Sequence, residues 1–166
     1  MMNRDDALLE KIYLKPGELV VAEEPVMVTT VLGSCISVTM FHPATGVSAI
    51  CHGMLPNGGT SESFKYVDSA VRYMVRYMDS LQIRRQEIEV KVFGGSDMFT
   101  GVQQGLRNLT VGRQNITVAT KCLEEYGMVL TASDVGGKKG RKLVFKTNTG
   151  DVFIKKMIGQ DRIPTL

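Results

Sequence analysis

The sequence predicts a single α/β domain in which a mostly antiparallel β-sheet core is flanked by two main helices. Three observations carry that reading. Short stretches alternate apolar and polar residues between clusters of Gly, Pro and Asn, as strands do. Two longer stretches carry apolar residues at helical spacing. No repeat or low-complexity linker divides the 166 residues, and 43% apolar content is enough to bury a core. One domain over 1–166 is therefore expected, with a mobile N-terminal segment.

In chain order, the first strands are expected at 18–22 and 26–32. A hairpin follows, 35–41 with 47–52, turning at His42-Pro43-Ala44-Thr45-Gly46 and leaving His42 at an exposed loop tip. Residues 60–82 place Val67, Ala70, Val71, Met74, Met78 and Leu81 on one helical stripe, while Tyr66, Tyr73 and Tyr77 flank it as cover for sheet surface. A strand at 88–93 runs into Gly94-Gly95; this passage lacks the lysine and spacing of a phosphate-binding loop, so no nucleotide site is expected. A second helix at 115–126 carries Ile116, Ala119, Leu123 and Tyr126 on one face, with Cys122 beside them as core and Gly127 as its stop. Strands at 128–133, 143–147 and 152–157 complete the sheet, the last two as a hairpin across Asn148-Thr149-Gly150-Asp151.

Composition narrows the function classes. The three cysteines, 35, 51 and 122, are odd in number and form no C-x-x-C pair, which argues against a disulfide framework or a structural zinc site and for a reducing cytoplasm. The charged N-terminus leads into no apolar signal region, and no stretch approaches the length of a membrane span. A net charge of +3 is too small to argue for nucleic acid.

The chemistry is concentrated at Thr29-Thr30-Val31-Leu32-Gly33-Ser34-Cys35 and Val47-Ser48-Ala49-Ile50-Cys51-His52. A free thiol, with a pKa of about 8.5, becomes a good nucleophile near neutrality only beside an imidazole, a positive field or backbone donors. Gly33 leaves the backbone uncrowded, so that the amides around Ser34 and Cys35 can converge on a developing oxyanion. His42 and His52 are the two histidines available as a base, and the hairpin returns His52 toward the Cys35 end. On these residues alone, the commoner reading of Cys35 is a small buried hydrophobe, while for His52 a strand-end ring satisfied locally and a catalytic base stand level. The loop Gly136-Gly137-Lys138-Lys139-Gly140-Arg141-Lys142 reads either as a solvated turn or as an electropositive rim for an acidic partner.

Taken together, Leu32-Gly33-Ser34-Cys35, His52 with Met54-Leu55-Pro56, Lys91-Val92-Phe93-Gly94-Gly95, Asn115-Ile116 and Asp134-Val135-Gly136-Gly137-Lys138-Lys139-Gly140-Arg141 resemble the CheD family of chemoreceptor glutamine deamidases, over about 14–159. The resemblance implies a layered α/β fold related to bacterial toxin deamidases. It implies Cys35 as nucleophile, His52 as base, and a threonine upstream of the cysteine as third member. The family spacing selects Thr29, and a strand slipped by one residue would present Thr30 instead. Ser34 and Gly33 fall in the expected oxyanion segment. This sequence departs from the family pattern at Cys51, where alanine is common, and at Gly112-Arg113-Gln114-Asn115, where the usual order is Gly-x-Arg-Asn.

The implied activity is hydrolysis of specific glutamine side-chain amides to glutamate on the cytoplasmic domains of methyl-accepting chemotaxis receptors, with no metal and no cofactor. A CheC-type phosphatase is an implied further partner. Two readings from other classes stand beside it: a non-catalytic binding module for receptors or that phosphatase, and a papain-like cysteine peptidase, against which the short chain and close cysteine and histidine spacing argue.

Overall fold

Period-two burial sets the strands. In β3 (Val26–Leu32), Val26, Val28, Thr30 and Leu32 point into the protein and are buried, whereas Thr29 and Val31 are only half-buried. The computed structural model describes residues 4–98 and 110–158. Within them β3 is central to a four-stranded sheet ordered β1-β3-β8-β9, with β1 at Glu10–Tyr13, β8 at Arg141–Lys146 and β9 at Asp151–Lys156. A five-stranded sheet is ordered β2-β5-β4-β6-β7, with β2 at Leu19–Ala22, β4 at Ile36–Phe41, β5 at Ser48–Cys51, β6 at Glu89–Gly94 and β7 at Leu130–Val135. Pairing is antiparallel except for β1 with β3 and β6 with β7.

The expected α/β class and its mostly antiparallel core are observed, but the strands divide between two sheets instead of completing one. Strand β1 was not anticipated, because Glu10-Lys11-Ile12-Tyr13 is a mostly exposed edge segment that pairs with a distant partner. Helix α1 (Val67–Ser80) begins at the first residue of the stripe, later than the expected start at 60, since Tyr66 is still extended. Helix α2 (Val111–Glu125) begins earlier, where the Thr110 hydroxyl caps it by accepting from the Arg113 amide.

The five-stranded sheet is buried on two faces. One face carries Ile36, Val38, Met40, Ala49 and Cys51 against Val67, Val71, Met74 and Met78 of α1 and Ala119 and Leu123 of α2. The other faces β3 and β8, enclosing Val28, Leu32, Cys35, Phe41, Ile50, Phe93, Leu143 and Phe145. Each large apolar side chain so enclosed contributes about 1.5–3 kcal/mol. The candidate site lies at the edge of this second layer. Asp6, itself buried, accepts from Lys146 Nζ at 2.6 Å and ties the short helical turn Asp6–Leu8 to β8; residues 1–3 of the N-terminal segment lie outside the described residues.

Candidate active site

Antiparallel pairing brings Cys35 and His52 together. Ile36 and Gly53 exchange both backbone hydrogen bonds, at 2.9 and 2.8 Å, so the residue preceding each sits on the opposite face of the sheet. Ile36 faces the helices, and a Cβ on Gly53 would collide with Val67 of α1. Cys35 and His52 therefore both project between the sheets, as diagonal neighbours, a separation of roughly 7–8 Å that an imidazole can span. Both are buried.

On the opposite sheet, the residue whose side chain meets the His52 ring is Thr30. Its hydroxyl lies 2.7 Å from His52 Nδ1 and donates to the Leu14 carbonyl at 2.7 Å. One hydroxyl carries one proton. With that proton on Leu14, the contact to the ring is Nδ1–H donating to Oγ1, which leaves the lone pair on Nε2. Thr29, selected by the family spacing, faces the other way along β3; its backbone carbonyl accepts from the Leu14 amide at 2.8 Å. Strand parity places Thr30 with Val28 and Leu32 on the inner face, so of the two threonines it is Thr30 whose side chain meets His52.

The backbone at the thiol is held by its carbonyls. Gly33 O accepts from the Ser96 amide and Cys35 O from the Gly95 amide, each at 2.9 Å, and Ser34 O accepts from Asn115 Nδ2, also at 2.9 Å. The N–H groups of Ser34 and Cys35 have no acceptor among the described residues. Gly94, at φ 104°, passes so close that a Cβ there would strike the Cys35 carbonyl oxygen, a contact and a conformation only glycine permits. Sequence reading took Gly94-Gly95 as a backbone passage; its bracing of the thiol segment is a long-range contact without a local signature.

Burial keeps the pair uncharged. Desolvation pushes the Cys35 thiol up to about 11. Desolvation also pushes His52 down to about 4, against smaller opposing effects from the Leu14 carbonyl and the Glu18 charge. At neutral pH the resting site is thiol and imidazole, not thiolate and imidazolium.

Other expected positions are placed differently. His42 is buried, not at an exposed tip: Nδ1 lies 2.7 Å from Thr45 Oγ1 and Nε2 3.3 Å from Glu87, which makes it a fastener of its own turn at the far end of β4. Cys51 faces the helices and Cys122 lies on α2, so neither shares the layer of Cys35. Lys138, Lys139 and Lys142 are exposed, but Arg141 is buried, donating to Ser96 Oγ at 2.6 Å, the Gly136 carbonyl at 2.8 Å and Asp134 at 3.1 Å. A basic run in sequence thus contains one interior cation that fixes Ser96, the residue holding Gly33. Among the described residues no group of three or more His, Cys, Asp or Glu is arranged to hold a metal. No helix there is long and apolar enough to cross a membrane.

Comparison with known proteins agrees with the motifs. A family model described as CheD chemotactic sensory transduction matches residues 54–156. A Geobacter sulfurreducens protein named probable chemoreceptor glutamine deamidase CheD 2 is 45% identical over 151 residues, covering 90% of this chain and 91% of that protein. This chain belongs to the CheD family. Other CheD relatives include a Maridesulfovibrio salexigens protein, named probable chemoreceptor glutamine deamidase CheD, 35% identical across 94% of this chain and 97% of its own length. The Thermotoga maritima protein named chemoreceptor glutamine deamidase CheD is 33% identical, with 89% and 92% covered.

Proposed function

We propose that this CheD-family chain deamidates specific glutamines on the cytoplasmic domains of chemotaxis receptors, with Cys35 as nucleophile, His52 as general base and acid, and Thr30 orienting the imidazole. The observation that carries the reading is the Thr30 contact to His52 Nδ1, which leaves Nε2 basic on the face it shares with Cys35. Because the resting pair is neutral, the thiol is deprotonated as it attacks. His52 Nε2 takes the Cys35 proton while Sγ bonds to the glutamine amide carbon. The amide oxygen becomes an oxyanion within reach of the Ser34 and Cys35 N–H groups. The proton on Nε2 passes to the departing nitrogen, which leaves as ammonia, and a thioester remains. Water then gives a proton to Nε2 and attacks the thioester carbon; the sulfur leaves and recovers that proton, with glutamate as product.

The exposed lysines Lys138 and Lys139 would attract an acidic receptor helix that presents the glutamine side chain. These lysines follow Gly137, whose carbonyl accepts from the Asp97 amide at 2.8 Å, next to the Ser96 brace. The reading extends to a CheC-type phosphatase as a competitor for the same face. The test is peptide mapping of receptor cytoplasmic domains after incubation with this protein. Conversion of particular glutamines to glutamate is expected, with none in the presence of Cys35→Ala; receptors left unaltered by wild type, across candidate receptors of the same cell, would contradict it.

A further inference from the structure

Asn115 is fully buried on α2, and its carboxamide spans the two segments that carry the reacting side chains. Nδ2 donates to the Ser34 carbonyl at 2.9 Å and to the Met54 carbonyl at 3.1 Å. Ser34 precedes the thiol, and Met54 follows the His52-Gly53 pair. The orientation of the amide is forced, because the flipped form would set Oδ1 against two carbonyl oxygens. The cost is visible on the other side: Oδ1 is buried with no partner among the described residues. A buried acceptor left unpaired lowers stability, so this asparagine is not the choice that packing alone would make.

We propose that Asn115 is a positioning residue that aims the Cys35 N–H at the developing oxyanion, a role that rests on the reading of Cys35 as nucleophile. The argument is one of peptide planarity. In a trans peptide the N–H points opposite to the C=O of the preceding residue, so fixing the Ser34 carbonyl fixes the direction of the Cys35 N–H. The neighbouring planes are set by backbone amides, Ser96 on Gly33 O and Gly95 on Cys35 O. The plane that carries the Cys35 N–H is set by a side chain, and that side chain is Asn115. The second bond, to Met54, holds the same donor in register with the strand end bearing His52. Loss of the clamp lets this plane tilt, and a misplacement of about 1 Å in such a group can cost 10²-fold in rate.

The experiment separates oxyanion stabilisation from thiol reactivity in one set of variants. Asn115→Ala is expected to lower kcat on a receptor fragment by roughly 10- to 100-fold with little change in KM. Its affinity for a glutamine-like peptide aldehyde, whose hemithioacetal oxygen needs the same donor, should fall in parallel. Alkylation of Cys35 by iodoacetamide, a displacement that forms no oxyanion, should be unchanged. Asn115→Asp supplies a second readout should the alanine variant fold poorly. A carboxyl between two carbonyl oxygens can donate only while protonated, so turnover by this variant should fall as pH rises across a range where wild type is flat. Equal losses in alkylation and turnover, or a wild-type kcat in Asn115→Ala, would overturn the proposal. Deamidation persisting in Cys35→Ala would instead overturn the reading of the nucleophile, and the two failures are distinct.

Discussion

The Thr30 hydroxyl joins the His52 ring to the Leu14 carbonyl, at 2.7 Å on each side, across the space between the two sheets. In the proposed mechanism this uncharged hydroxyl fixes the tautomer without stabilising an imidazolium. That agrees with a histidine held near 4 and a thiol near 11, and it sets this arrangement apart from triads whose third member is a carboxylate.

The two threonines separate cleanly by substitution. Thr30→Val keeps the shape of a fully buried side chain and removes its hydroxyl, so kcat should fall roughly 10- to 100-fold as the ring loses its orientation. Thr30→Ser should recover much of the rate, and Thr29→Val should stay near wild type because its hydroxyl faces away. Steady-state deamidation rates decide it. A defect confined to Thr29→Val would show that the outer face of β3 matters instead.

Acid should act on stability through His52. Its folded value near 4 lies below the unfolded reference of about 6.5, so between them the unfolded chain binds more protons and stability rises with pH. The contribution is whole above about pH 6.5 and is lost as pH falls toward 4, on the order of 3 kcal/mol in all. Urea midpoints measured across this window should slope steeply in wild type and less in His52→Gln. The same depressed value predicts that kcat/KM stays flat from neutrality down to well below pH 6 before its acid limb begins. A limb centred near 6.5 would contradict the buried, neutral imidazole.

The basic loop divides into two kinds of cation. Neutralising exposed Lys138, Lys139 and Lys142 together should weaken receptor turnover, most at low salt, while iodoacetamide labelling of Cys35 is unaffected. Arg141→Ala should instead destabilise the fold by about 3 kcal/mol, since it strips a buried charge from Asp134 and Ser96. Receptor kinetics over a salt series and thermal unfolding check the two halves. Receptor turnover in wild type that ignores salt would return the lysines to a solvated turn.

Much of this was legible in the sequence where the signal was local. The hairpin bearing Cys35 and His52, the stripe of α1 and the cysteine and histidine pairing followed from periodicity and residue type. The inward placement of Thr30 follows strand parity, with Val28 and Leu32 flanking it at period two, whereas the family spacing selected Thr29. Partners far apart in the chain were not legible. The division into two sheets depends on β3 pairing with β8 across more than half the sequence. Arg141 sits among lysines, and only the fold turns it inward. Asn115 stood out as part of a motif, but the carbonyls it holds, on Ser34 and Met54, come from other elements.

The central claim is that the amide carbon becomes bonded to Cys35, and acid-quenched turnover tests it directly. Peptide mass analysis of wild type stopped during reaction with a glutamine-bearing receptor fragment should find the fragment, less ammonia, attached to the peptide containing Cys35. Cys51→Ala and Cys122→Ala should show the same adduct and retain activity, whereas Cys35→Ala should show neither adduct nor turnover. An adduct on another residue, or full deamidation by Cys35→Ala, would contradict the account.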